Sequence, residues 1–207
     1  MIIDISQPLG PAIQGFPIDT PYAEKFVARI APGVPVNVSA ITFSAHCGTH
    51  VDAPLHYDDK GKTVSQMDLD VFIGPARVID ARGSTPLVMA DDIRSHLKNT
   101  PPRVLLRMAE STNPNLWNPQ FRAIHANVID LLHEHGVKLI GVESPSVDPE
   151  TSKDLPAHMA VNAHDMRILE NLVLSHVKQG DYELIALPLK FENLDASPVR
   201  AVLRPLR

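Results

Sequence analysis

The sequence has little cysteine, no early positive charge and no long uncharged apolar run. Its 207 residues contain one cysteine, Cys47, so no intrachain disulfide can form, whereas secreted domains usually carry several. We therefore expect a reducing, cytoplasmic compartment. The first basic residue is Lys25, so the N-terminus lacks the positively charged segment that begins a secretory signal peptide.

Two further absences limit the partners. The longest stretch without Asp, Glu, Lys or Arg covers residues 30–51, where proline, glycine and polar side chains interrupt it, so we expect no membrane-spanning helix. The formal net charge is −5, and no basic excess favours nucleic acid. A small-molecule partner is the expectation.

The chain shows no internal repeat, low-complexity tract or linker, so we predict a single domain over residues 1–207. The first half is predicted to be rich in strands separated by proline-rich loops, at residues 2–5, 36–43 and 71–81. In the second half a helical face ends at Gly136 and precedes a buried strand at residues 137–142. A second such unit is predicted with Asn162 as N-cap, a helix that ends at Gly180 and a strand over residues 183–187. The predicted fold is α/β with a mixed sheet.

The densest group of metal-ligating side chains is His46, His50, Asp52 and His56, which fall within eleven residues. In an extended segment His50 and Asp52 point the same way, and imidazole with carboxylate binds Zn, Mn or Fe. Extended chain would place the Cα atoms of His46 and His50 about 13 Å apart, so the chain must fold back for both to reach one ion. Gly48 permits that turn because it lacks a Cβ. We predict a rigid ligand loop.

Two distant residues, His158 and Glu170, are candidates to complete this site. If Asn162 caps the predicted helix, Glu170 lies about 12 Å along it, and the lead-in from His158 can span about 13 Å. The two side chains can then converge. A solvated helical glutamate is the other interpretation of Glu170, and burial as a small apolar residue is the expectation for Cys47.

Residues 46–57 resemble the metal-dependent cyclase-like hydrolases and, within them, the bacterial kynurenine formamidases. The resemblance continues over nearly the whole chain, in residues 4–8, 19–21, 139–142, 145–149, 168–171, 186–189 and 197–202. It implies a swivelling β/β/α fold, a homodimer, and hydrolysis of N-formyl-L-kynurenine to L-kynurenine and formate.

The same resemblance implies a site with two divalent metal ions per subunit. Zinc is the expected metal, and manganese is the alternative. His46, His50 and Asp52 would hold one ion, and Asp52, His158 and Glu170 the other. His56 would give and take the proton, and an aromatic side chain from the N-terminal loop, here Phe16, would lie over the substrate.

The sequence departs from the formamidase pattern in the N-terminal loop and at one carboxylate. Where the family has Trp-Pro-Gly-Asp, this chain reads Phe16-Pro17-Ile18-Asp19. Phe16 keeps an apolar face and loses the indole N–H donor. Glu143 stands where an Asp is usual. These differences leave an isatin-hydrolase-like activity on cyclic amides as an alternative.

Two alternatives belong to other classes of protein. His50, Asp52 and a later His satisfy the two-His-one-carboxylate triad of a mononuclear Fe(II) oxygenase, although the helical second half argues against the jelly roll expected there. A metal-binding structural protein without turnover would leave His56 without a purpose. Trp117 is a candidate for the pocket or for a dimer contact.

Overall fold

The computed structural model describes residues 1–206, which form thirteen strands and three α-helices. The strands are β1 (Ile3–Asp4), β2 (Ala23–Ala28), β3 (Val38–Thr42), β4 (His50–Asp52), β5 (Ile73–Asp80), β6 (Leu87–Val88), β7 (Arg103–Arg107), β8 (Ala123–Ile124), β9 (Leu139–Val142), β10 (Arg167–Glu170), β11 (Gly180–Ile185), β12 (Ala196–Pro198) and β13 (Val202–Pro205). The helices are α1 (Ala90–Ile93), α2 (Ala126–Glu134) and α3 (Pro156–Ala163).

Nine strands in the described part form one mixed sheet in the order β1-β13-β11-β5-β7-β9-β10-β4-β12. Its centre is parallel, from β5 through β7 and β9 to β10. On one side β4 runs antiparallel to β10 and β12 antiparallel to β4. The single-domain α/β fold and the mixed sheet predicted from the sequence are confirmed.

Each face of this sheet is covered by its own apolar core. Successive strand residues alternate between the cores, so that Val104 and Leu106 join the core beneath the helices while Leu105 joins the opposite one. Ile168 and Leu169 divide in the same way. This alternation follows from the two-residue period of a strand. Consecutive apolar residues, such as residues 104–106 of β7, therefore fill both cores from the middle of a central strand.

The first predicted helix and strand unit is confirmed. His125 caps α2 by accepting a hydrogen bond from the backbone N–H of Asn127, and Gly136 follows the helix with a positive φ of 78°. Strand β9 is buried at every position. No helix within residues 1–206 is long and apolar enough to cross a membrane.

The second predicted helix, capped by Asn162 and ended by Gly180, is wrong. The helix lies earlier, at Pro156–Ala163, and the apolar residues Ile168 and Leu169, expected on a helix, lie in the buried strand β10. Asp165 leaves the helical path with a φ of 49°, and Gly180 begins β11. A run of apolar residues buried on both faces fits a helix and a strand equally well by spacing.

Among residues 1–206, strands β2 and β3 pair only with each other and form an antiparallel ribbon outside the main sheet. Nearly all of their residues are exposed, and the exposed set includes large apolar side chains at Phe26, Val27, Val38 and Ile41. We call this pair the N-terminal ribbon.

Candidate metal centre

Strands β4 and β10 place three ligand-type side chains on one face of the sheet. Val51 packs in the core opposite the helices, so its neighbours His50 and Asp52 face the helices. Glu170 lies directly across from His50 in the antiparallel register. Ile168 belongs to the core beneath the helices, and Glu170, two residues later, shares that face. The strand period therefore directs all three side chains toward α3, which carries His158.

A turn at Gly48 brings His46 back to this group. Gly48 has a φ of 67°, and a Cβ there would lie 2.4 Å from Cδ2 of Leu9. His46 Nδ1 then lies 3.1 Å from His50 Nε2 and 3.1 Å from Asp52 Oδ1, while His50 Nε2 lies 3.3 Å from Asp52 Oδ1. The predicted turn is confirmed, and it removes the separation that extended chain would impose.

These distances fit a metal ion. Ligand atoms about 2.0 to 2.1 Å from a tetrahedral zinc ion are separated by about 3.3 Å, which is close to the spacing of these three atoms. Both carboxylate oxygens of Asp52 are buried without a hydrogen-bond partner among the described residues. A buried carboxylate without donors is costly unless a cation lies beside it. The residues present therefore fit a divalent metal ion.

The second ring nitrogen of each candidate histidine ligand also has a partner. Nδ1 of His50 lies 2.9 Å from the carbonyl oxygen of Gly48. Nδ1 of His158 lies 2.7 Å from Asp148, and Nε2 of His46 lies 3.0 Å from Asp195. Histidines that bind metals usually donate their other N–H to such an acceptor, which fixes the tautomer and the ring orientation.

Glu170 and His158 also lie close to this group. Glu170 Oε2 is 3.4 Å from His50 Nε2, and Glu170 Oε1 accepts the backbone N–H of Val147 at 2.9 Å. His158 Nε2 is 3.8 Å from Asp52 Oδ2. The structure thus brings the ligand atoms of His50, Asp52 and Glu170 within 4.8 Å of one another, and it places His158 beside Asp52 but outside that group. Glu170 reaches the site from strand β10, whereas the sequence predicted that it lies on a helix.

His56 lies at the outer side of the cluster, in a short 3-10 turn at Pro54–His56. Its ring centroid is 4.2 Å from that of His46 and 5.8 Å from that of His158. Nδ1 of His56 is 3.3 Å from Oδ2 of Asp195. Ligand atoms from His46, Asp52 and His56 lie within 4.8 Å of one another, so the geometry allows His56 either to bind a metal or to transfer a proton.

The carboxylates dominate the electrostatics of the site. Burial works to lower the pKa of His50, His158 and His46, but the attraction of the neighbouring carboxylates outweighs it and raises the pKa values to about 10, about 10 and about 9. Burial would raise the pKa of Asp52, yet the three imidazoles hold it well below its usual range. A site that holds protons this tightly is also one that attracts a cation in their place.

The sequence arguments missed two carboxylates of the site, Asp148 and Asp195. Asp148 is fully buried and accepts hydrogen bonds from the backbone N–H groups of Ala157 and His158 as well as contacting the ring of His158. Asp195 lies just before β12. Both residues lie in or next to segments that carry the resemblance, but a short polar segment alone does not indicate which side chain it faces.

Phe16 belongs to an aromatic cluster. Its ring is 5.0 Å from Trp117 and 6.4 Å from Phe121, edge-on in both cases. Trp117 and Phe121 line a cavity of about 330 Å³ that also touches Asn171, the residue after Glu170. Asn171 donates to the carbonyl oxygen of Gly48, so this cavity borders the residues that orient His50. The indole Nε1 of Trp117 is buried without a partner in the described part of the chain.

Glu143 has a structural role in this chain. Its Oε2 accepts the backbone N–H groups of Met108 and Ala109, and its Oε1 accepts that of Leu174. Burial raises the pKa of this carboxyl group despite these three bonds. Glu143, which follows β9, therefore joins the segments that follow β7 and β10.

Residues 3–149 match the model of the Cyclase family. The chain belongs to the Cyclase family. The match includes the ligand loop and Asp148 and ends before His158 and Glu170. Membership and the His, Asp and Glu cluster together support the class of cyclase-like metal-dependent hydrolases.

Solved structures of this Cyclase-family fold extend the likeness over the whole chain. A potential metal-dependent hydrolase with cyclase activity superposes with a TM-score of 0.85 at 23% identity, covering 98% of this chain and 96% of the other. A predicted metal-dependent hydrolase from Bacillus stearothermophilus gives 0.83 at 24% identity, covering 98% and 97%. Isatin hydrolase A from Labrenzia aggregata, bound to benzyl benzoate, gives 0.83 at 22% identity, covering 98% and 93%. At these identities the likeness establishes the fold.

A jelly roll, expected for the oxygenase alternative, is not what this chain adopts.

Proposed function

We propose that this protein is a metal-dependent amidohydrolase that converts N-formyl-L-kynurenine to L-kynurenine and formate. The observation that carries the proposal is the convergence of His46, His50 and Asp52 at 3.1 to 3.3 Å with His56 beside them. The residue pattern of the kynurenine formamidases, described above, supports the choice of substrate.

His46, His50 and Asp52 would hold one divalent ion, and Asp52, His158 and Glu170 a second. When bound, a zinc or manganese ion would supply Lewis-acid chemistry, which lowers the pKa of a coordinated water and polarises a carbonyl group. Asp148 and the carbonyl of Gly48 hold the rings of His158 and His50 in the orientation that binding requires.

His56 would move the proton in this reaction. Water adds to the formyl carbon, the bond from that carbon to the aniline nitrogen breaks, and the leaving nitrogen takes up one proton to become the free amine. An imidazole side chain can take a proton from water and return it to a leaving nitrogen as a general base and acid. The side chain of His56 is 33% exposed, so it can reach both a substrate and bulk water.

Phe16 would position the aryl ring of the substrate. Its ring is half-buried and packs edge-on against Trp117 and Phe121, two residues that line the cavity described above. A cavity of about 330 Å³ is at the small end of the range for ligand pockets. An aryl formamide is a suitable size for it.

A second candidate is an isatin-hydrolase-like activity on cyclic amides. The structural likeness to isatin hydrolase A and the replacement of the usual Trp by Phe16 favour it. Both reactions hydrolyse an amide whose nitrogen is attached to an aromatic ring, so the same metal centre would serve either.

The experiment that tests this proposal measures kynurenine release and isatin opening in parallel. Purified protein is loaded with zinc or manganese, and a chelator-treated sample is the control. Efficient, chelator-sensitive release of kynurenine supports the formamidase. Turnover of isatin alone favours the second candidate, and no turnover of either by folded, metal-loaded protein contradicts both.

We also propose that the protein is a homodimer. The N-terminal ribbon exposes Phe26, Val27 and Ile41, each at 47% or more, and monomers rarely expose contiguous apolar patches unless they bind something. Light scattering should give twice the chain mass of 22.7 kDa, and the double variant Phe26→Asp, Ile41→Asp should lower it to one chain mass. A monomeric wild-type protein would contradict the proposal.

A further inference from the structure

One carboxylate oxygen contacts two imidazoles at the outer side of the metal centre. Oδ2 of Asp195 lies 3.0 Å from Nε2 of His46 and 3.3 Å from Nδ1 of His56. The two rings lie 4.2 Å apart. A carboxylate oxygen has two lone pairs, so a single atom can accept from both N–H groups.

The backbone holds Asp195 at this place. Its carbonyl oxygen accepts the N–H of Ala53 at 2.8 Å, and the next residue, Ala196, pairs with Asp52 in the register between β12 and β4. Asp195 is therefore anchored to the strand that carries the ligand loop. Only its side chain, which is 41% exposed, is free to respond to the two rings.

We propose that Asp195 is a positioning residue that orients a metal ligand and the proton-transfer group with one oxygen atom. By accepting from Nε2–H of His46, it leaves Nδ1 of His46 unprotonated toward Asp52 and the ion. By accepting from Nδ1–H of His56, it leaves Nε2 of His56 as the nitrogen that exchanges a proton. This inference rests on the proposed function.

A shared acceptor has a consequence that two separate acceptors would lack. If Asp195 moves, both rings lose their partner at once, so metal binding and proton transfer should weaken together. Asp195 belongs neither to the group of His46, Asp52 and His56 nor to that of His50, Asp52 and Glu170. Weaker metal binding after its replacement would therefore not result from the loss of a ligand.

The test compares Asp195→Asn with Asp130→Asn. Asp130 contacts Nε2 of His164 at 2.9 Å on the surface and is 58% exposed, so it is a matched carboxylate and histidine pair outside the metal centre. Zinc affinity is measured on metal-free protein by competition with a chelator. The visible absorption of cobalt-loaded protein reports the ligand geometry directly, and kcat and KM are measured with N-formyl-L-kynurenine.

We expect Asp195→Asn to bind zinc about 10 to 100-fold more weakly than wild type, to shift the cobalt spectrum and to lower kcat with little change in KM. Asp195→Glu, which keeps the charge, should recover part of the zinc affinity. Asp130→Asn should match wild type in every measurement, and both substitutions are at partly exposed positions that should not change the melting temperature much.

The outcomes separate this inference from the proposed function. Zinc affinity and cobalt spectra of Asp195→Asn within twofold of wild type would overturn the inference alone. Wild-type protein that binds no metal would overturn both. If metal binds, and Asp195→Asn weakens it, while neither N-formyl-L-kynurenine nor isatin is hydrolysed, the substrate proposal fails and the role of Asp195 stands.

Discussion

The metal centre has a buried side and an open side, and they are held in different ways. On the buried side His50, Asp52 and Glu170 lie on paired strands, and His158 is fixed by the fully buried Asp148. On the open side His46 and His56 come from a loop and a short turn, and both depend on Asp195, which is partly exposed. The strands fix ligands that need not move, whereas the groups that meet substrate and water lie where water can reach them.

The largest effect should come from breaking the buried side at its centre. Asp52→Asn keeps the shape of the side chain but removes the charge and one of the two oxygens that face the metal. We expect loss of bound metal and a fall in kcat of about 10⁴-fold, since the ion is worth several kcal/mol. Metal analysis and kcat check this, with Asp130→Asn as control. A metal-replete Asp52→Asn enzyme with more than a tenth of wild-type activity would contradict it.

His56→Ala tests the open side. If His56 transfers a proton and does not bind metal, the variant should keep its full metal content and lose about 10² to 10⁴-fold in kcat. Metal content and steady-state kinetics on the same sample provide the check. Loss of one metal equivalent would instead make His56 a ligand, as the geometry with His46 and Asp52 also allows.

Asp148→Asn and Asp195→Asn compare the carboxylates that support the two sides. Asp148 accepts two backbone N–H groups at the start of α3 in addition to the contact with His158. Its replacement should weaken zinc binding by about 10 to 100-fold and reduce the free energy of unfolding by about 1 to 2 kcal/mol. Denaturant unfolding of the two metal-free variants measures the difference. Equal stability would show that burial does not distinguish the two sides.

The smallest effect concerns the metal-free protein and pH. The pKa values of His46, His50 and His158 are raised to about 9 to 10 in the folded chain, so these groups bind protons more tightly when folded than when unfolded. Their contribution to stability is complete below about pH 6.5 and is lost as pH rises through the folded pKa values. Thermal unfolding in chelator between pH 6 and 10 should show this decline, and added zinc should reduce it. A metal-free melting temperature that does not fall above pH 8 would contradict the prediction.

Prediction from the sequence succeeded where local rules decide the structure. The turn at Gly48 follows from the need to fold the ligand loop back, and α2 with its end at Gly136 follows from helical spacing and a glycine that tolerates positive φ. The residues proposed as ligands do converge. Glu170, however, lies on β10 opposite His50, whereas the sequence predicted a helix at this position.

The failure at β10 has a physical cause. Met166 and Ile168 are buried in one core and Leu169 in the other, so the spacing of these apolar residues does not define a single buried face. Only the pairing of β10 with β9 and β4 decides that the segment is extended. The contact of Asp195 with His46, 149 positions away in the chain, is decided in the same way by the pairing of β12 with β4.

The sequence by itself determined the chemistry of the ligand loop, because His46, His50, Asp52 and His56 are neighbours in the chain and a single turn brings them together. It also determined the α/β class through its apolar periodicity. Only the tertiary structure decided which carboxylates face these imidazoles. Asp148, Glu170 and Asp195 reach them through strand register and helix packing, and these depend on contacts between residues far apart in the sequence.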